Sequence, residues 1–241
     1  MFEEIKAEKV YVKVVKQIRE LMEGGRFNPG DKLPPEKVLA EKMGVSRPSV
    51  REAIVALEVL GLVETIGGKG SFVKNGSSPS ILEETLREMQ LQESPFELLE
   101  ARRIVEPEVA GHAAQKVQTG DIMAIKKSLA SMNHVKRPLS VSQEYEQFFA
   151  FDNAFHINVA RAAHNTEVLR VITHLVEGSN RGLSVKFKEK GYGTPGRPQK
   201  YLKEHTDILA AIEGKNRETA RRRMRRHIAG CQKDWFGEIG G

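Results

Sequence analysis

The sequence predicts a mainly α protein: three helices and a β-hairpin, then an all-α antiparallel bundle of six or seven helices. Three observations carry this. Apolar residues recur at helical spacing through most of the chain. One short stretch, Leu62 to Val73, reads instead as two strands around Gly67-Gly68-Lys69-Gly70. Between the two parts, Asn75-Gly76-Ser77-Ser78-Pro79-Ser80 is small, polar and proline-containing. The expected division is therefore a first domain over 1–75, a linker over 76–80 and a helical domain over 81–241.

In the first domain, Val10, Val14, Ile18 and Leu21 recur on one helical face, and Gly24-Gly25 ends that helix. A loop containing Asn28-Pro29-Gly30-Asp31 follows. Leu33-Pro34-Pro35-Glu36 opens a second, short helix, with proline in its first turn and Val38, Leu39 and Met43 turned inward. Gly44 ends it where a turn needs positive φ. Ser46 then caps a third helix that has Pro48 and Ser49 in its first turn, buries Val50, Ile54, Leu57 and Leu60, and stops at Gly61. The strands after it form a wing.

The rest is nearly all helix. Apolar periodicity runs through 82–91, 96–117, 122–135, 144–163, 168–178, 201–214 and 217–236. Pro95, Gly120, Pro138, Asn165 and the stretch Gly191 to Pro198 interrupt it. Antiparallel helices of this length make an ordinary bundle.

The 241 residues carry a formal charge of +6 and include one cysteine. One cysteine excludes a disulfide framework and any CxxC metal or redox motif. No apolar run approaches a membrane span, and the first fifteen residues alternate charged and apolar types, so neither a membrane nor a secretory segment is expected. A cytoplasmic protein with a mild positive bias remains. The first 74 residues contribute only +2 of the charge, so placement of cations matters more than their total.

A short helix, a glycine turn and a second helix opening Ser46-Arg47-Pro48-Ser49-Val50-Arg51 form a helix-turn-helix, completed by the hairpin as a winged one. Arg47 and Arg51 stand at i and i+4 on one face, and either could be bidentate to guanine. Ser46 and Ser49 suit phosphate positioning. Lys37 can reach backbone or base from the preceding helix. In the wing, Gly68 permits close backbone approach to a minor groove and Lys69 brings a cation.

Seven histidines are present. Asp152 and His156 stand at i and i+4, and His205 and His227 lie on two later helices, each with apolar neighbours at helical spacing. One carboxylate and three imidazoles would make a first-row metal site, while a lone inward histidine is more often a hydrogen-bonded core residue. His112, His134 and His164 carry weaker signals, and His174 has only helical phase to place it near a cavity. The run Arg221 to Arg226 reads as a solvated helix face in preference to a DNA-facing patch.

The stretch from Pro29 to Val73, PGDKLPPEKVLAEKMGVSRPSVREAIVALEVLGLVETIGGKGSFV, closely resembles the N-terminal winged helix-turn-helix of GntR-family bacterial transcription regulators. By that resemblance Lys37, Arg47, Arg51 and Gly68 fall where the family contacts operator DNA. Members often carry arginine at the position of Lys37, and lysine offers a point charge in place of a fork. The helical part resembles the FCD effector domain of the FadR subfamily, on ELLEARRIVEPEVAGHAA, FDNAFHINVARAAHN and EHTDILAAIEGKN with MRRHI. This resemblance implies that Asp152, His156, His205 and His227 are metal ligands and that Arg102 faces a small carboxylate effector. Arg103 is adjacent, and either arginine could pair with Glu106. Members that bind fatty acyl-CoA lack the full ligand set, which argues against such a ligand here.

The resulting expectation is a ligand-responsive transcription regulator and not an enzyme. Its expected partners are a palindromic operator, a second copy of the chain, a divalent metal (zinc, with nickel or manganese as alternatives) and a small organic acid. Repression released by ligand is the sense the resemblance implies. Two other readings are a metal-dependent hydrolase and an architectural DNA-binding dimer without effector. Against the first, the chain has no HExxH and no evident general base.

Overall fold

Tyr11, Val12, Val14, Val15 and Ile18 place one apolar face of α1 (Val10–Glu23) against α3 (Arg47–Val59), and the first unit is built around that contact. The computed structural model describes residues 9–74, 86–87, 89–91, 93–135, 142–180, 182–192, 194 and 196–236. They divide into two units at Phe96 and Glu97. The expected linker, 76–80, lies outside the described residues. So do 82–85 and 88 of the expected helix at 82–91, of which 86–87 and 89–91 are helical.

Helix α2 (Glu36–Met43) follows Pro35, which occupies the position before the first turn, one place earlier than expected. Gly44 closes it in the left-handed region at φ 65°. The Ser46 hydroxyl accepts from the Ser49 N–H and caps α3, with Pro48 in the first turn where its missing donor costs nothing. Val50, Ile54, Leu57 and Leu60 are all buried.

Strands β1 (Val63–Ile66) and β2 (Gly70–Val73) pair antiparallel, with Val63 opposite Val73 and Ile66 opposite Gly70. Between them Lys69 N–H donates to the Ile66 carbonyl at 2.9 Å, and Gly68 takes φ 73°. The segment expected to be only loop also pairs with the wing: Leu33 N–H donates to Ser71 and Val73 N–H to Asp31, each at 2.9 Å. The unit includes residues beyond the wing. Glu52 of α3 is buried and accepts from the Ser94 hydroxyl and the Phe96 N–H, each at 2.8 Å. A carboxylate removed from water needs such donors, and here they tie the start of the next helix to α3.

That helix is α4 (Pro95–Lys116), followed by α5 (Thr119–His134), α6 (Ser142–Arg161), α7 (Thr166–Gly178), α8 (Leu183–Tyr192), α9 (Arg197–Glu213) and α10 (Arg217–Phe236). Packing pairs α5 with α6, α6 with α7 and α9 with α10, and α9 also meets α5. Phe148, Phe155, Phe187, Tyr201 and Phe236 fill the interior. Helix α8 was not expected. Its buried face includes Leu183, Ser184, Phe187, Lys188 and Tyr192, and a serine and a lysine on that face hide its periodicity from a hydrophobic pattern.

Gly44 and Gly120 provide a direct test of these assignments. Gly44→Val places a β-branched residue at positive φ and is expected to lower stability by about 1–2 kcal/mol. Gly120, in the first turn of α5, has ordinary φ and open space where a Cβ would stand, so Gly120→Ala is expected to raise it by about 0.5–1 kcal/mol. Urea midpoints of the two variants measure both.

Candidate nucleic-acid interface and candidate metal centre

Seven residues were expected at the DNA, and the structure places them on α2, the start of α3 and the wing tip. Lys37, Ser46, Arg47, Gly68 and Lys69 are exposed, and Ser49 is half-buried. Lys37 lies 4.0 Å from Glu41, a contact that contributes little at such exposure. The Ser46 and Ser49 hydroxyls lie 2.9 Å apart and bond to one another. Arg51 differs from Arg47. Its Nε donates to Oε1 of Glu36 at 2.9 Å and its Nη2 to Oε2 of the same carboxylate. The i, i+4 spacing alone does not show this difference, because Glu36 belongs to another helix.

In the second unit, His156, His205 and His227 converge from α6, α9 and α10. One ligand atom from each lies within 4.8 Å of the others, and all three rings are buried. The Nε2 atoms of His205 and His227 are 3.0 Å apart. Imidazoles bound to one ion at about 2.0–2.1 Å stand roughly 3.0–3.4 Å from each other, so this spacing suits two ligands of one metal. Asp152 Oδ1 lies 3.6 Å from His205 Nε2 and accepts from the Tyr192 hydroxyl at 3.1 Å.

The far sides of two rings are held by carboxylates. Glu106 Oε2 meets His156 Nδ1 at 2.5 Å, and Glu204 Oε2 meets His227 Nδ1 at 2.8 Å. A carboxylate on one ring nitrogen sets the tautomer and leaves the other nitrogen for a ligand. His156 Nε2 has no hydrogen-bond partner although buried. A metal ion would use it, so the donor set fits the group. Burial first, and then neighbouring histidines, push His205 well below its ordinary pKa and His227 down to about 3. Both rings are uncharged at neutral pH, the state in which imidazole coordinates a metal.

Arg102 is buried and pairs through Nε with Glu106, whereas Arg103 is exposed. Of the two arginines, Arg102 faces inward. Burial opposes the charge on Glu106, but Arg102 and then His156 outweigh it and hold the carboxyl well below the usual range. Sequence reasoning missed Glu204, Tyr192 and Lys188 as members of this cluster. Lys188 is fully buried, donates to Asn180 Oδ1 at 2.6 Å and Asn153 Oδ1 at 3.3 Å, and is pushed down to about 8 by burial, with Asp152 opposing. Cys231 Sγ lies 3.8 Å from His227 Nε2, and burial raises its thiol pKa.

The remaining histidines lie elsewhere. His112, His134, His164 and His174 are exposed, so His174 does not line the centre. His164 meets Asp121 at 2.9 Å just before the Asn165 cap of α7. In the arginine run, Arg221 and Arg225 reach Glu108 at 2.6 and 3.4 Å and Arg223 bonds to the Asp207 carbonyl.

Residues 10–73 match the family described as bacterial regulatory proteins, gntR family, and residues 97–230 match the FCD domain. The chain belongs to the GntR family. It is 30% identical to the Uxu operon transcriptional regulator of Escherichia coli K12, over 92% of this chain and 85% of that one. It is also 30% identical to the Exu regulon transcriptional regulator of the same organism, over 95% and 86%. A solved structure of Lar, which controls expression of the Listeria monocytogenes agr system, aligns at a TM-score of 0.50 with 17% identity, over 96% and 99%, a likeness of fold alone. As a GntR regulator the chain is a DNA-binding transcription regulator and not an enzyme, which sets the hydrolase alternative aside. Among the described residues no helix is long and apolar enough to cross a membrane.

The buried rings give the metal-free protein a defined acid response. In the unfolded chain His205 and His227 take up protons below about pH 6.5, whereas in the folded one they do so only far lower. The unfolded state binds more protons in that window, so stability is complete above about pH 6.5 and is lost as pH falls toward 3. At pH 5 the His227 ring is expected to cost about 2 kcal/mol, and His205 adds a cost of the same sign. Thermal melts of metal-free protein from pH 7 to 4.5 measure the slope, and replacing both rings by Gln flattens it.

Proposed function

We propose that this GntR regulator is a cytoplasmic repressor that binds a palindromic operator as a homodimer. A small organic acid, bound beside a divalent metal in the helical domain, releases it. Residues 1–75 read DNA, and the domain beyond the linker at 76–80, over 81–241, carries effector binding and dimerisation. The observation that carries the effector half is the buried histidine cluster, two of its rings oriented by carboxylates, with its unpartnered His156 Nε2. Buried polar atoms are rarely left unsatisfied without a use.

His156, His205, His227 and Asp152 would hold the ion. Zinc is favoured by imidazole and carboxylate donors, and nickel or manganese are the alternatives. Bound there, the metal supplies a Lewis acid for a carboxylate oxygen. Glu106 and Glu204 orient the rings, and Arg102 offers the guanidinium donors that Glu106 leaves free to the same acid. On the DNA side, Arg47 and Arg51 address bases, Ser46, Ser49 and Lys37 address the backbone, and Gly68 and Lys69 address the minor groove. Helix α4 carries Arg102 and Glu106 and begins at residues bonded to Glu52 of α3. Effector binding would act as a population shift between DNA-competent and incompetent forms.

Elemental analysis of the purified protein tests the metal, with about one divalent ion per chain expected and His156→Ala or His227→Ala losing it. Glu106→Gln is expected to weaken metal affinity by about 10–100-fold. Thermal melts with small carboxylates, with and without metal, test the effector: stabilisation that needs both metal and Arg102 is expected. Full-length protein that holds no metal and responds to no carboxylate would leave a DNA-binding dimer without effector.

A further inference from the structure

The sequence-derived set of DNA contacts omits Glu36, the carboxylate that pairs with Arg51 of that set. Arg51 donates two hydrogen bonds to one carboxylate, from Nε to Oε1 at 2.9 Å and from Nη2 to Oε2. The fork bridges α2 and α3, and both side chains are largely shielded, Arg51 at 21% and Glu36 at 28% exposure. The other cations of the set are not held in this way. Lys37 is exposed with only Glu41 at 4.0 Å, and among the described residues Arg47 and Lys69 are exposed with no ion pair.

A guanidinium carries five N–H donors in one rigid plane. Glu36 occupies the Nε–H and one on Nη2. Three remain, and two of them, one on each Nη, run parallel along another edge. Parallel donors on one edge match the O6 and N7 acceptors of guanine. A free arginine loses side-chain entropy when it is ordered against a base, and one already clamped loses less. The same carboxylate places a negative charge beside the DNA-reading surface, which weakens attraction to any phosphate backbone whatever its sequence.

We propose that Glu36 is a positioning residue that clamps Arg51 for reading a guanine, giving up non-specific DNA affinity to gain base discrimination. The inference rests on α3 being the DNA-reading helix. It makes Arg51 the sharper reader and Arg47 the more adaptable one, although the two stand at equivalent positions along the helix face.

The test begins with full-length protein enriching binding sites from a randomised duplex pool. Wild type, Glu36→Ala, Glu36→Gln and Arg51→Ala are then titrated against the enriched duplex, its single-base variants and a scrambled duplex, at several salt concentrations. In Glu36→Ala, discrimination at one guanine per half-site is expected to fall by about tenfold, while binding to the scrambled duplex tightens. Glu36→Gln, which keeps shape and one acceptor, is expected to move both quantities in the same senses by less. Arg51→Ala is expected to lose preference at the same base pair, with no further loss when Glu36→Ala is added. A role confined to holding α2 on α3 would weaken binding to both duplexes in parallel, and that result overturns the proposal. Undiminished preference in Glu36→Ala overturns it too. A wild type that enriches no sequence would overturn the DNA-reading assignment of α3 along with it.

Discussion

A set of polar side chains shut away from water organises the helical unit. Arg102 and Glu106 of α4, Asp152 and His156 of α6, Lys188 and Tyr192 of α8, His205 of α9 and His227 of α10 are all buried. Five helices therefore converge on one polar cluster inside an apolar bundle. Removing charges from water is costly unless each finds a partner, and here the partners come from different helices: Glu106 with His156, Asp152 with Tyr192 and His205, and Lys188 with Asn153. No helix can shift far without leaving a charged or polar group unpaired. Such a cluster is a weak source of stability and a strong source of unique arrangement.

The same logic recurs on a smaller scale in the first unit. Glu52 is a buried carboxylate whose donors, Ser94 and Phe96, come from the far end of the unit, and Glu36 is a half-buried one whose partner comes from the next helix. In both cases one acidic residue fixes the placement of an element that the apolar core leaves free to rotate or slide. Hydrophobic contact between α1 and α3 brings the helices together, and directional bonds then choose the register. This division of labour follows from the non-directional character of apolar burial.

The fold was legible wherever a local rule operated. The cap at Ser46 and the positive-φ turn at Gly44 stand as the sequence indicated, because each depends on only a few consecutive residues. Helix α8 was not legible. Lys188 on its inward face looks like a solvent residue until Asn153, Asn180 and the rings of Phe149 and Trp235 surround it. The three histidines could be nominated from spacing, yet nothing local in the sequence distinguishes a ring facing a metal from one facing the core. Glu204, one residue from His205, was overlooked because adjacent helical residues point in different directions, and only the approach of α10 gives its carboxylate a role.

By itself, then, the sequence determined the order of the elements other than α8, the helix-turn-helix with its wing, the family and the residue types that could coordinate an ion. Each of these is written in spacing of two to about twenty residues or in an extended ordered motif. The tertiary structure alone decided which of two neighbouring arginines faces inward, which nitrogen of His156 and His227 a carboxylate holds, and that Arg51 is clamped while Arg47 is not. Those outcomes depend on groups that are distant along the chain, and a group's charge, tautomer and freedom to move are properties of its surroundings.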